Sequence, residues 1–259
     1  MGDGTAIEWA DASWNPVVGC SLVSPGCTNC YAMRLAWRLA SMPATRHYGE
    51  TVTKKKGLAV WTGQSVRAPD IECSRDALPV ELCRLPKAPS FAVEPIRKDD
   101  PAGWPLPTVW LGVSAEDQRR AEERLPALRE CPAALRFLSA EPLLGPLDLP
   151  AVLGPDLAGL DWVIAGGESG PGARPIHPEW VRRLRDDCAA AGVPFFFKQW
   201  GEWICAGERR RLPGGAGPGL GRYDHHPYDL AREAVRIGKG RAGRSLDGRT
   251  HDEVPAWPA

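Results

Sequence analysis

Three cysteines near the start of the chain are the residues best suited to carry chemistry. Cys20, Cys27 and Cys30 lie within eleven residues, in a loop rich in Gly, Pro and Ser that precedes a helical pattern. A structural zinc site takes four ligands in a closed tetrahedron. A four-iron cluster held by three thiolates leaves one iron open to a small molecule, and that opening makes a cluster catalytic. The three thiols therefore favour an iron–sulfur cluster.

The spacing within this loop suits a cluster but leaves other outcomes open. Thiolates are soft ligands, and the two-residue gap before Cys30 lets it reach the same cluster as Cys27. Cys20 must return across a six-residue gap, where Pro25 and Gly26 favour a tight bend. The alternatives are three unligated thiols, or a zinc site completed by one of Cys73, Cys83 and His47.

The elements that must position a second set of polar groups begin beyond residue 108. Four apolar runs predict strands: 109–114, 136–141, 161–166 and 194–199. Helical patterns cover 116–125 and 180–191, so strands and helices alternate as in a parallel sheet with covered faces. The sequence predicts an α/β fold, a partial (β/α) barrel with parallel strands and outer helices.

Each predicted strand ends in polar residues, and parallel strands deliver their carboxyl ends to one edge. The polar residues at or just after the four ends are Ser114 and Glu116; Ser139 and Glu141; Glu168 and Ser169 after Gly166 and Gly167; and Lys198 and Gln199. Glycines allow close backbone approach, so a ligand ammonium could bond exposed carbonyls and the Glu168 carboxylate. A turn, with Arg174 in a surface salt bridge, is the alternative for this loop.

The rest of the chain is less regular. Residues 31–40 predict a helix, and 42–107 form an irregular middle with strand patterns only at 57–61 and 90–94. The partial barrel is expected to span 1–205. Residues 206–259 predict a Gly/Pro-rich basic tail with a short helix at 232–237. The basic residues of this tail are interpreted either as a solvated surface or as a site that binds phosphate.

Composition limits the class of protein. The 259 residues carry a formal net charge of +0, which argues against a globally electrostatic grip on nucleic acid. No apolar run is long enough for a membrane span and no signal peptide is evident, so a cytoplasmic protein is expected. In a reducing compartment eight cysteines do not predict disulfides. The five outside the loop are expected to be small buried hydrophobes: Cys73, Cys83, Cys131, Cys188 and Cys205.

Six blocks of this sequence carry a resemblance to a known family. The chain resembles the phage-associated three-Cys-motif proteins, which are similar to radical S-adenosylmethionine enzymes and often occur with a three-Cys-motif partner protein. Its middle region is shorter than in the family, with only 90–94 in place of several segments. The matching blocks are 7–16 with the cysteine loop, 104–114, 136–145, 162–174, 195–203 and 243–249.

The resemblance implies a cofactor for each predicted site. Cys20, Cys27 and Cys30 would bind a [4Fe-4S] cluster, whose open iron takes the amino and carboxylate groups of S-adenosylmethionine. One electron would cleave that cofactor to a 5′-deoxyadenosyl radical acting on an unknown substrate, for which the phage setting suggests a nucleotide or nucleic acid.

The resemblance also implies roles at the strand ends. Gly166, Gly167 and Glu168 would hold the methionine part of S-adenosylmethionine. Ser139 and Glu141 are candidates for its ribose, and Lys198 is a further candidate for contacting the cofactor.

A second function from another class stays open at this point. The chain could be a non-catalytic protein in which iron–sulfur or zinc stabilises the loop, with the basic tail binding nucleic acid or a partner. The partners expected for the first function are a three-Cys-motif partner protein and a reductant protein.

Overall fold

A computed structural model of the chain describes residues 2–3, 12–13, 17–67, 105, 110–210, 224–229 and 232–256. The chain divides into two compact units, Met1–Ile96 and Arg97–Ala259. No helix in the described ranges is long and apolar enough to cross a membrane.

The first unit is built on one helix and short antiparallel strands. Helix α1, Tyr31–Ala40, confirms the predicted helix. The paired strands are β1 (Gly2–Asp3) with β2 (Ala12–Ser13), β3 (Val17–Gly19) with β6 (Ser65–Arg67), and β4 (Val52–Lys55) with β5 (Leu58–Trp61). Strand β5 confirms the predicted strand at 57–61, and the strand predicted at 90–94 lies outside the described residues. The helix and the β4–β5 hairpin pack together and bury Met33, Ala36 and Val52.

The second unit contains a parallel sheet of four strands in chain order. The strands are β7 (Trp110–Ser114), β8 (Leu135–Ala140), β9 (Trp162–Gly166) and β10 (Phe195–Gln199). They are joined through helices α2 (Gln118–Glu130), α3 (Leu149–Leu153) and α4 (Pro178–Ala191). All four predicted strands and both predicted helices are confirmed. Helix α3 contacts both α2 and α4, so the three helices lie in one layer, as right-handed crossovers between successive neighbours require.

The core of this unit lies on both faces of the sheet. All five residues of β9 are buried, which explains its continuous apolar sequence. Trp162 makes edge contacts with Trp110 and Phe196, with ring centroids 5.9 and 6.1 Å apart. Cys188 and Cys205 are also buried, as expected of small hydrophobes, whereas Cys131 is half-buried; Cys73 and Cys83 lie outside the described residues.

The region after residue 202 is more regular than the sequence suggested. It contains β11 (Trp203–Cys205), α5 (Ala206–Arg209), β12 (His225–Asp229), β13 (Arg232–Arg236) and α6 (Lys239–Ala242). The helix predicted at 232–237 is wrong, because this segment is the central strand of an antiparallel sheet in the order β11-β13-β12. Pairing on both sides satisfies backbone groups that a six-residue helix would leave unpaired.

The last residues pack against the parallel sheet. The indole Nε1 of Trp200 donates to the Ser245 carbonyl at 2.8 Å, and that of Trp162 donates to the Glu253 carbonyl at 2.9 Å. The Phe197 amide donates to the carbonyl of His251, which is buried. Residues 232–256 therefore belong to the same unit as the four parallel strands.

Candidate functional site

The cysteine loop has a defined backbone between β3 and α1. Residues Pro25–Cys27 form a turn of 3-10 helix, which confirms the tight bend predicted there. The Cys27 amide donates to the Ser24 carbonyl at 3.0 Å, and the Cys30 amide donates to the Cys27 carbonyl at 3.3 Å. These two bonds form successive turns at Cys27 and Cys30. Cys30 is the residue immediately before α1.

The three thiols of this loop influence one another electrostatically. Partial desolvation of the Cys20 sulfur is the largest cause that raises its pKa above the ordinary value, and a backbone hydrogen bond with Ser21 opposes this rise. The Cys27 and Cys30 thiolates raise the pKa of Cys20 further, because like charges nearby disfavour ionisation. Cys27 also lies 3.7 Å from Ser24 Oγ, measured from its sulfur. The loop therefore gathers three thiols into one interacting group.

The structure does not bring these thiols together as the ligands of one metal ion. Within the described ranges, no three His, Cys, Asp or Glu side chains form a group that could hold one metal ion. A four-iron cluster is larger than one ion, so thiolates that hold it stand further apart. Of the residues expected to complete a zinc site, Cys73, Cys83 and the side chain of His47 lie outside the described part of the chain.

A polar cluster lies at the carboxyl ends of β8 and β10 in the second unit. Lys198 Nζ lies 3.3 Å from Oε1 of Glu141, and Ser139 Oγ lies 3.3 Å from Oε2 of the same carboxylate. Burial raises the pKa of Glu141, while the ammonium groups of Lys198 and Lys239 oppose this shift. The side chain of Lys198 is 40% exposed, so the cluster is accessible to a small molecule.

The glycines after β9 lie against the protein's own chain. A Cβ atom on Gly167 would collide with the carbonyl oxygen of Trp200, and one on Gly166 would lie 2.5 Å from Oε1 of Glu141. The Gly167 amide donates to the Gln199 carbonyl at 2.8 Å. Both glycines therefore have a packing reason to lack a side chain.

Glu168 is buried, and Arg174 bonds both oxygens of its carboxylate. Its Oε2 accepts bonds from the amide and Nε of Arg174 at 2.8 and 2.9 Å, and its Oε1 accepts from Nη2 at 2.6 Å. Bonding to this carboxylate is the largest cause that raises the pKa of Arg174. Two glycines with positive φ, Gly170 and Gly172, turn the loop so that Arg174 returns to Glu168.

Glu116 is a further buried carboxylate at the end of β7. It is 3% exposed, and its oxygens lie 3.9 Å from Nε of Arg120 and 3.5 Å from Nη1 of Arg124. The sequence placed Glu116 at this edge without assigning it a site. Its position two residues after a strand and four before Arg120 was the available signal. The structure places the predicted strand-end residues of the second unit at one edge of the sheet. Lys198 pairs with Glu141, whereas Arg174 pairs with Glu168 and also feels the charge of Glu116.

Comparison with known proteins gives a family. The family described as "Protein of unknown function (DUF5131)" matches residues 4–78 and 75–255. No curated protein and no solved structure matches the chain. Since the matched segments span nearly the whole sequence, the chain belongs to the family described as "Protein of unknown function (DUF5131)".

Proposed function

We propose that this protein is an iron–sulfur protein of the radical S-adenosylmethionine type, with a [4Fe-4S] cluster on Cys20, Cys27 and Cys30. The observation that carries the proposal is the loop between β3 and α1, which holds all three thiols and places Cys20 within electrostatic reach of Cys27 and Cys30. A donor set of three soft ligands fits a cluster with one open iron better than a closed zinc tetrahedron. When bound and reduced, such a cluster supplies the electron for cleavage of S-adenosylmethionine.

In this proposal the second unit is part of a (β/α) barrel that carries the S-adenosylmethionine site. The order of its four parallel strands and its single layer of helices support a barrel wall. The cluster of Ser139, Glu141 and Lys198 offers a carboxylate to accept hydrogen bonds from the ribose hydroxyls and, beside it, an ammonium group to donate to the ribose oxygens. These side chains bind and orient the cofactor.

The loop of Gly166, Gly167 and Glu168 fits the methionine part less well. Glu168 is already bonded to Arg174, and the space beside both glycines is filled by the protein's own chain. A ligand ammonium would have to take the place of Arg174 to reach the carboxylate. We therefore assign the cofactor contacts first to Ser139, Glu141 and Lys198.

Because the Glu168 carboxylate is already bonded to Arg174, the structure also favours a second function. In a non-catalytic protein, the Arg174 pair would hold the loop after β9, and the metal on the cysteine loop would stabilise the first unit. The proteins of this second class bind iron–sulfur or zinc but do not cleave S-adenosylmethionine. The first function predicts that the metal-loaded protein releases cleavage products of S-adenosylmethionine, and the second predicts that it releases none.

Anaerobic reconstitution with iron and sulfide, followed by S-adenosylmethionine and dithionite, separates the two functions. The first predicts release of methionine and 5′-deoxyadenosine, and loss of both products when Cys27 is changed to Ala. A Glu141→Gln variant should keep its cluster but bind S-adenosylmethionine more weakly. A protein with a full cluster that releases neither product would support the second function.

A further inference from the structure

The cysteine loop lies in a strongly basic part of a chain whose overall charge is zero. Residues 17–67 contain seven Lys or Arg residues and a single acidic one, Glu50, whereas the whole chain has a formal net charge of +0. Positive charge is therefore concentrated in residues 17–67 of the first unit. A concentrated patch attracts polyanions even when the net charge of the protein does not.

Helix α1 presents part of this charge together with aromatic side chains. Tyr31 is 72% exposed, and Arg34, Leu35 and Arg38 follow on the same side of the helix. Arg34 and Arg38 lie about one turn apart, roughly 6 Å along the axis. With Tyr31 and Leu35 they line an open depression.

The β4–β5 hairpin extends this surface. It packs against α1, and Lys54 Nζ lies 4.9 Å from the ring centroid of the exposed Trp37. Lys54, Lys55 and Lys56 follow one another where the hairpin turns. The α1 surface is defined here as the side chains of Tyr31, Arg34, Leu35, Trp37, Arg38 and Lys54.

We propose that the α1 surface binds single-stranded nucleic acid. Aromatic rings give unpaired bases a platform for stacking, and guanidinium and ammonium groups meet the phosphates, so the two together are typical of surfaces that bind single strands. An acidic peptide would satisfy the charges but would offer no bases to stack on Tyr31. All six side chains of the α1 surface are exposed, and none of them is a ligand of the proposed cluster.

The C-terminal region, where the sequence suggested nucleic-acid binding, is less suited to it. Arg244 forms an ion pair with Asp252 and also lies over the ring of Phe196. Arg236 donates to the Gly170 carbonyl at 3.2 Å. These two arginines serve the packing of the second unit, whereas the α1 surface combines positive charge with exposed rings.

Fluorescence anisotropy with a labelled single-stranded oligothymidine tests the proposal on the full chain. The variant Arg34→Gln/Arg38→Gln should reduce the slope of log K against log salt by about 1.4, because two phosphate contacts are lost. Tyr31→Ala should weaken binding about tenfold through lost stacking. The matched control is Arg119→Gln/Arg183→Gln, which removes the same charge from exposed positions in the second unit and should leave affinity within about twofold.

The same assay includes a labelled oligouridine, a duplex of the same sequence and polyglutamate. The proposal is supported if oligothymidine or oligouridine binds more tightly than the duplex and polyglutamate, and if only the α1 variants lose affinity for the single strands. Equal loss in the control variant, or polyglutamate bound as tightly as the single strands, overturns it. Circular dichroism and iron content measured on each variant separate a failure of this surface from a failure of the cluster.

Discussion

At the scale of single residues, the thiols of the first unit differ from the other described cysteines in their surroundings. Cys20, Cys27 and Cys30 interact with one another at a partly exposed loop. Cys188 is fully buried, and burial raises its pKa to about 12. A thiol must ionise to bind metal, so burial makes Cys188 a poor ligand.

Changing Cys27 to Ala should therefore abolish cluster binding, whereas changing Cys188 to Ala should leave it intact. Bound iron and acid-labile sulfide, measured after anaerobic reconstitution, check this prediction. The Cys188→Ala protein serves as the matched control for loss of one thiol. Equal loss of iron from both variants would refute the assignment of the ligands.

Gly167 should tolerate no side chain, because a Cβ atom there meets the rigid backbone carbonyl of Trp200. We expect Gly167→Ala to lower the free energy of unfolding by about 1–3 kcal/mol. In Gly240→Ala the new methyl group enters open space, so stability should change by less than about 0.5 kcal/mol. Urea unfolding of the two variants measures both values, and similar losses would contradict the packing explanation.

At the scale of elements, the pair of Glu168 and Arg174 holds the loop between β9 and α4. Arg174 bonds both carboxylate oxygens, and the Glu202 amide donates to the Glu168 carbonyl at 3.0 Å. Removing the arginine side chain leaves the buried carboxylate without its cationic partner, although the backbone amide of residue 174 still donates to it. The pair is therefore expected to matter more than the exposed ion pairs of the helices.

Arg174→Met should lower the free energy of unfolding by about 2 kcal/mol, less than for a fully buried pair because the arginine is a third exposed. Arg119→Met breaks the exposed pair with Glu123 and should cost less than about 0.5 kcal/mol. Thermal or urea unfolding compares the two. If the variants lose equal stability, the loop does not depend on this pair.

The elements that could be predicted from the sequence are those whose pattern is local. The four parallel strands are short apolar runs bounded by turn residues, and α1 has an apolar repeat that ends before Pro43. Strand β13 was missed because its five-residue pattern also fits a helix, and β11, one of its two backbone partners, lies well before it at Trp203–Cys205. Its other partner, β12, is the adjacent hairpin strand. For Arg174 the sequence offered only a surface salt bridge as one alternative, because its return to the buried Glu168 depends on the loop conformation, in which Gly170 and Gly172 have positive φ.

At the scale of the whole molecule, the last residues stabilise the second unit. His251 is buried, and its pKa is lowered first by burial and then by the positive charges of Arg249 and Arg185. Its carbonyl accepts the Phe197 amide. The folded state therefore favours a neutral imidazole at this position.

The free energy of unfolding should fall as pH drops below the ordinary histidine pKa of 6.5. Between that value and the lower pKa of folded His251, the unfolded chain binds more protons than the folded one, so acid favours unfolding. Urea unfolding at about pH 7.5 and about pH 5.5 measures the change. In His251→Gln the free energy of unfolding should fall less over this pH interval. If it falls as much as in the unchanged protein, groups other than His251 cause the pH dependence.

The central claim for the whole protein is that its cysteine loop holds an iron–sulfur cluster. Native mass spectrometry of the anaerobically reconstituted chain, with iron and sulfide assays on the same sample, tests it most directly. The account predicts about four iron and four sulfide per chain, with none retained when Cys20, Cys27 and Cys30 are all changed to Ala. One zinc per chain without sulfide would contradict it.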